Sequence, residues 1–184
     1  MNVASTLDMI GYGNAGSREI EDLAEWLGRH LTAGSRLRPH EPMSRRTTLR
    51  VGGEADLLIE LGTEEDLSTA VRAARLRKIP WMVVGRGSNL LVRDGGIRGV
   101  VLSLNQPFFA RIEVQDARLR CGAGVRLKDL SMEARRHGLA GLEFLGGIPG
   151  SVGGALRMNA GAWNSAAFDR IERVRFMSAD GEIH

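Results

Sequence analysis

The chain has 184 residues, 43% apolar and 26% charged, with 25 basic and 22 acidic side chains for a formal net charge of +3. That balance excludes a disordered tail and leaves room for one buried core, or one and a piece of another. A single cysteine, Cys121, excludes an internal disulfide and a multi-cysteine metal site, and His30, His40, His137 and His184 show no ligand spacing.

No apolar run approaches the roughly 18 residues that a membrane helix needs, and the first ten residues lack the basic start and apolar run of a secretory signal. The expected location is the cytoplasm, with no membrane partner. Apart from Lys78 and Lys128 the basic residues are arginines, interleaved with acids and not alternating with aromatics, which argues against nucleic acid as a partner.

Residues 1–16 read as a loose tail. Ser17 is placed as an N-cap, with Ile20, Leu23, Ala24, Leu27 and Leu31 on one face of an amphipathic helix. From Thr32 to Arg46 the periodicity is lost among Gly34, Pro39 and Pro42, which predicts a connection into the main body. The chain then divides into 1–46, tail and helix, and 47–184, the main domain. Within the latter, Ala55–Leu61 is a buried strand, and Thr63 with Asp66 resembles a capping box opening a helix. Trp81–Val84 is a short strand running into Gly85, Gly99–Leu104 another, and Ala110–Gln115 with Ala117–Cys121 a hairpin around Asp116. A helix from about Lys128 to His137 ends at Gly138, a strand covers Arg170–Met177, and Asp180-Gly181 signals a hairpin turn. Only three residues follow that turn, so the architecture is expected to continue beyond this chain. Strands and helices alternate without a strict βαβ rhythm, giving a mixed class, α+β or α/β.

Glycine makes up 24 of the 184 residues, about 13% against a usual share of roughly 7%, and it is concentrated. Gly85-Arg86-Gly87-Ser88-Asn89 leaves a strand directly; its glycines allow a sharp turn and close approach, and its successive N–H groups can converge on phosphate oxygens. The competing reading is a tight loop with no ligand. Gly146-Gly147-Ile148-Pro149-Gly150-Ser151-Val152-Gly153-Gly154 can lie against a flat aromatic ligand, or can mark a close backbone crossing in the core. Gly122-Ala123-Gly124, at the end of a strand, is a third, weaker instance, for which a simple turn is the commoner reading. Gly11-Tyr12-Gly13-Asn14-Ala15-Gly16 matches a dinucleotide fingerprint, but no buried strand precedes it and no acid lies between Leu31 and His40, so it is set aside. Ser88 and Ser151 lack the setting of a nucleophile elbow, Glu143 serves equally well as a turn carboxylate, and core packing is expected for Trp26 and Trp81.

At these loops the chain resembles the UDP-N-acetylmuramate dehydrogenase family (UDP-N-acetylenolpyruvoylglucosamine reductases). The likeness runs from Thr47 onward through TTLRVGGEADLLIEL, VVGRGSNLLVRDGGIRGVVLSL, CGAGVRLKDL and, most specifically, GLEFLGGIPGSVGGALRMNAGA. It implies an FAD-binding domain of the vanillyl-alcohol-oxidase type, two α/β subdomains holding FAD between them, with the C-terminal substrate domain absent. By residue, Gly85, Arg86, Gly87, Ser88 and Asn89 would line the pyrophosphate and Gly122, Ala123 and Gly124 would approach the cofactor. Gly146, Gly147, Ile148, Pro149, Gly150, Ser151, Val152, Gly153 and Gly154, with Asn159 and Ala160, would lie along the flavin. The family reduces the enolpyruvyl ether of UDP-N-acetylglucosamine in peptidoglycan synthesis, with NADPH as hydride donor. Its catalytic Arg, Ser and Glu would fall beyond His184, so this chain is expected to carry cofactor contacts without catalytic ones, a separate chain being one source of the substrate domain. A non-catalytic FAD-binding module and another flavoenzyme of the same fold are the alternatives. The segment Trp163-Asn164-Ser165-Ala166-Ala167 departs from the family pattern, and Arg157 has no role assigned.

Overall fold

A computed structural model describes residues 16–184. Gly11 and Gly13 of the set-aside glycine motif lie outside the described residues, as does the tail 1–15.

The first helix, α1 (Ser17–His30), begins one residue earlier than the sequence suggests: Gly16 is the N-cap, and the Glu19 carboxylate accepts its N–H at 3.1 Å. The apolar stripe Ile20, Leu23, Leu27 is buried against β2 (Glu54–Glu60), β4 (Ile97–Ser103) and α2 (Glu64–Leu76), in one cluster with Leu57, Ile59, Val71, Val100 and Leu102. The opposite face of the sheet carries a second cluster, Met43, Ala55, Leu58, Val84, Val92 and Val101. With both faces covered, β2 and β4 read as continuous apolar runs rather than alternating ones.

Strand order is β1-β2-β4-β3, with β1 (Arg36–Pro42) antiparallel to β2, while β2, β4 and β3 (Trp81–Val84) run parallel. Strand β1 corrects the expectation of a connection between Thr32 and Arg46. It sits at the sheet's edge, where strands tolerate proline, and Glu41 is its one buried residue, so it carries no apolar alternation to detect. The division expected at residue 46 therefore falls between two hydrogen-bonded strands.

The second half of the chain builds another core. The hairpin β5 (Ile112–Gln115) and β6 (Arg118–Cys121) turns at Asp116, whose φ is +52°, and α3 (Leu127–Arg136) ends before Gly138 at φ +68°. Val125, Leu127 and Leu130 pack there with Phe144, Leu145, Ala155 and Ala167. The short helix α4 (Val152–Met158) is followed by β7 (Gly161–Ala162) and β8 (Ser165–Ala166). The strand expected over Arg170–Met177 is not formed. Only a narrow hairpin closes at Asp180-Gly181, with one bridge between Met177 and Ile183, and Val174 and Phe176 stay exposed for want of a partner strand among the described residues. Trp26 and Trp81 pack against the first core as expected, Trp26 also stacking on His30, while Trp163 is exposed.

Half of the expected capping box forms. The Thr63 hydroxyl accepts the Asp66 N–H at 3.1 Å, but the Asp66 carboxylate turns instead to the Thr32 N–H and to the Thr32 and Ser35 hydroxyls, tying the α1–β1 connection to α2. Burial pushes the Asp66 carboxyl up, and these donated bonds outweigh it, holding the group below its usual range. Glu60 behaves alike: burial raises it, and hydrogen bonds from Arg46 and Arg38 outweigh that and hold it below its ordinary value. Both folded-state values lie below the unfolded ones, so the unfolded chain takes up these protons first as pH falls. Their stabilisation is complete above roughly pH 5 and is lost as pH drops through the folded-state values. Urea midpoints should therefore decline on the acid side in wild type and decline less steeply in an Asp66→Asn, Glu60→Gln double variant. An identical acid limb in the two proteins would contradict this.

Candidate functional site

Parallel strands β2, β4 and β3 end on one side of the sheet, the edge at which open α/β sheets bind ligands. The Gly85–Asn89 loop leaves β3 there. Gly87 is buried, with φ +63°, and a Cβ on it would overlap the Arg46 carbonyl oxygen and stand 2.9 Å from Thr47 Cα. Thr48 N–H donates to the Gly87 carbonyl at 3.1 Å, so residues 46–48 form a floor beneath the loop. Above that floor the amides of Arg86, Gly87, Ser88 and Asn89 have no hydrogen-bond acceptor among the described residues. Four consecutive N–H groups thus stand open around one turn that is buried at Gly87 and exposed at Arg86 and Asn89, where an incoming acceptor can reach them. The arrangement has the form of an anion-binding nest.

The loop 146–154 meets this cradle from the other side. The Ser88 hydroxyl donates to the Pro149 carbonyl at 2.9 Å, and Ser151 Oγ fills the place of the side chain Gly85 lacks, 2.5 Å from where its Cβ would stand. Gly122–Gly124 completes the junction. Gly153 N–H donates to the Ala123 carbonyl at 2.8 Å, and Val152 N–H to Val125 at 2.9 Å. The structure thus brings all three glycine segments together.

It also divides their work. Gly122 and Gly124 donate their N–H groups to the Arg111 and Phe109 carbonyls, and their missing side chains face the backbone of Phe109 and Leu104. Glycine is required at these two positions by a chain crossing, a reason different from both the cofactor approach and the simple turn that the sequence suggests. Gly146 and Gly147 lie in a 3₁₀ turn, Glu143–Gly147, and Ile148 packs toward the second core. Gly150 has φ +148°, and Gly154 is exposed beside the cleft wall at Ser151. Asn159 caps α4 in the left-handed region, and its Oδ1 accepts the Phe168 N–H at 3.0 Å, while Ala160 packs against the second core. Glu143 binds the Gly141 N–H, a turn role, and Arg157 is exposed.

Beside the cradle is a cavity of about 260 Å³. Arg86 reaches it from the glycine loop, Asn105 from just past β4, Gly124, Val125 and Arg126 from the segment before α3 and Asp129 from its first turn, and Ala110 and Ile112 supply an apolar wall. Arg86 and Arg126 form no ion pair among the described residues, so their charge is available to an anion at the cavity mouth. Asn105 Nδ2 donates to the Ser103 hydroxyl at 3.0 Å and to the Gly85 carbonyl at 3.4 Å, fixing the root of the cradle. Sequence reasoning missed Asn105, Ile112, Arg126 and Asp129; for Asn105 the signal was its place just past a buried parallel strand. Burial pushes the Cys121 thiol up, which disfavours the thiolate there. No group of His, Cys, Asp and Glu suited to a metal occurs among the described residues, and no helix there is long and apolar enough to cross a membrane.

An open amide nest, a flanking pair of arginines and a partly apolar cavity suit a ligand with a phosphate-bearing middle and aromatic ends. Comparison with known proteins agrees. The family model of an FAD binding domain matches residues 55–184. The UDP-N-acetylenolpyruvoylglucosamine reductase of Heliobacterium modesticaldum is 50% identical over 143 residues, 78% of this chain and 45% of that protein, and the Pelobacter propionicus protein of the same name is 47% identical over 144 residues, 78% and 48%. The crystal structure of the Thermus caldophilus UDP-N-acetylenolpyruvylglucosamine reductase superposes with a TM-score of 0.65 at 39% identity, covering 82% of this chain and 51% of that one. The chain spans about half the length of the relatives it matches. The mixed α/β class expected from the sequence is the one found, and the chain belongs to the FAD-binding-domain family, with FAD as its cofactor.

Proposed function

We propose that this chain is the flavin-holding part of a UDP-N-acetylenolpyruvoylglucosamine reductase, a cytoplasmic enzyme that uses NADPH to reduce UDP-N-acetylglucosamine enolpyruvate to UDP-N-acetylmuramate in peptidoglycan synthesis. The observation that carries the cofactor assignment is the run of four open amides from Arg86 to Asn89 at the ends of the parallel strands. The substrate rests on likeness to the named reductases over 78% of the chain. In this reading Gly85–Asn89 hold the FAD pyrophosphate by main-chain donors, with Arg86 and Arg126 balancing its charge. The 146–154 loop lies along the flavin through Gly150, Ser151 and Gly154, the junction at Gly122–Gly124 braces it, and Asn159 and Ala160 extend the same wall. FAD, when bound, supplies the hydride chemistry, and these residues bind and orient it. The groups that hold and protonate the substrate lie outside residues 1–184 in this reading.

A non-catalytic flavin module is the second reading, favoured by Trp163 and Asn164, which form an exposed left-handed turn with φ of +51° and +61°. A chimera separates the two. Residues 47–184 would replace the matching stretch of the Thermus caldophilus reductase, and NADPH consumption would be followed with the enolpyruvyl substrate. Substrate-dependent turnover is expected of the chimera and not of the 184-residue chain alone. A chimera that holds FAD but turns nothing over would favour the module, and turnover by the chain alone would overturn the division of labour.

A further inference from the structure

Beneath the cradle, four charged side chains from the edge of the sheet form a continuous chain. Arg46 Nε donates to Glu41 at 2.7 Å and its Nη1 to Glu60 at 2.9 Å, while Arg38 Nε donates to the other oxygen of Glu60 at 2.9 Å. Two cations meet two anions, so the group is charge-balanced. It is also largely out of water: side-chain exposure is 10% for Glu41, 12% for Glu60, 23% for Arg46 and 38% for Arg38. A buried ion chain is weak evidence for stability, because desolvation offsets most of the attraction. What it does well is fix geometry, since the planar guanidinium fork of Arg46 satisfies two carboxylates from two strands only in one orientation.

That orientation matters because of what the Arg46 backbone does. Its carbonyl is the atom against which Gly87 is pressed, and two residues on, the Thr48 N–H holds the Gly87 carbonyl. Glu60 stands at the end of β2 and pairs with Ser103, which pairs in turn with Val84, the residue before Gly85. The ion chain is therefore coupled to both sides of the cradle, its floor at 46–48 and the strand end from which it leaves. We infer that Arg46, held by Glu41 and Glu60, is a positioning residue for the Arg86–Asn89 amides and thereby sets the affinity for the pyrophosphate of the cofactor.

The inference rests on the assignment of that loop to the FAD pyrophosphate, and its test keeps the two apart. Arg46→Met alone would leave two buried carboxylates unpaired and risks unfolding. The informative variant is Glu41→Gln, Arg46→Met, Glu60→Gln, which removes the buried charges together, keeps similar volumes and leaves Arg38 partly in water. Amide hydrogen exchange in the cofactor-free protein reads the cradle directly. Exchange at the Thr48 amide, which is hydrogen-bonded to the Gly87 carbonyl, should quicken by about tenfold while the β2 and β4 amides keep their protection. FAD should bind about tenfold more weakly to the triple variant, and riboflavin, which has no phosphate, within about twofold of wild type. Arg46→Lys, which keeps the charge but cannot bridge both carboxylates, should fall between. Unchanged exchange and FAD affinity in the triple variant, or an equal weakening of FAD and riboflavin, would overturn the inference. Wild type that fails to bind FAD would instead sink the pyrophosphate assignment, while the exchange measurement would still decide whether the ion chain positions the loop.

Discussion

Gly87→Ala should weaken FAD binding by about a hundredfold or more, the largest functional effect expected of a one-methyl change in this chain. Two costs coincide at this position. Its φ of +63° lies in the left-handed region, which costs a residue with a Cβ about 1–2 kcal/mol. The added methyl also overlaps the Arg46 carbonyl oxygen, a backbone atom that no rotamer change can move aside. Either the loop lifts or the 46–48 floor sinks, and both displace the amides proposed to hold the phosphates. Each hydrogen bond to a charged group contributes about 1.5–3 kcal/mol, so losing two of the four donors accounts for the predicted factor. Flavin fluorescence quenching on titration would measure it. An affinity within about threefold of wild type would show that the cradle does not bear on the cofactor.

Leu102→Ala should cost about 2–5 kcal/mol of folding stability, because the side chain has no solvent exposure and sits at the centre of the first core. In β4 it lies in register with Ile59 on one side and Val83 on the other, so the cavity opens between both neighbouring strands. The effect reaches the site through fold population rather than geometry: β4 ends at Ser103, next to the cradle root, but Leu102 faces the α1 and α2 side. Added FAD should restore about 2.7 kcal/mol at a free concentration a hundredfold above its dissociation constant, in variant and wild type alike. Urea unfolding with and without FAD tests both numbers. A restoration much smaller in the variant would mean that the core and the cradle are not independent.

Much of this was legible in the residues because the sequence signals coincide with local physics. The apolar runs at Ala55–Leu61 and Gly99–Leu104 are strands buried on both faces, and the Thr63 cap and the Gly138 stop act within a few residues of where they are read. The concentration of glycine showed where the three loops would matter, and they do converge. What stayed hidden depends on distant partners. Strand β1 has no apolar alternation because only its pairing with β2 defines it, and the Arg46 ion chain joins residues separated by up to 22 positions. Asp66 was read as one half of a cap, yet it holds Thr32 and Ser35, more than thirty positions away. At Gly122 and Gly124 the residues point to a cofactor approach or a simple turn, and the backbone crossing that demands glycine there is invisible in them. The packing of Phe109 and Leu104 supplies the answer.

Equilibrium titration of the purified, cooperatively folded chain with FAD tests most directly whether the cradle takes a dinucleotide flavin. The expected result is saturation at one FAD per chain, with binding weakened by competing ADP, which carries the same linked phosphates. A folded chain that leaves FAD free in solution, or that binds it with no competition from ADP, would contradict the proposed role of the cradle.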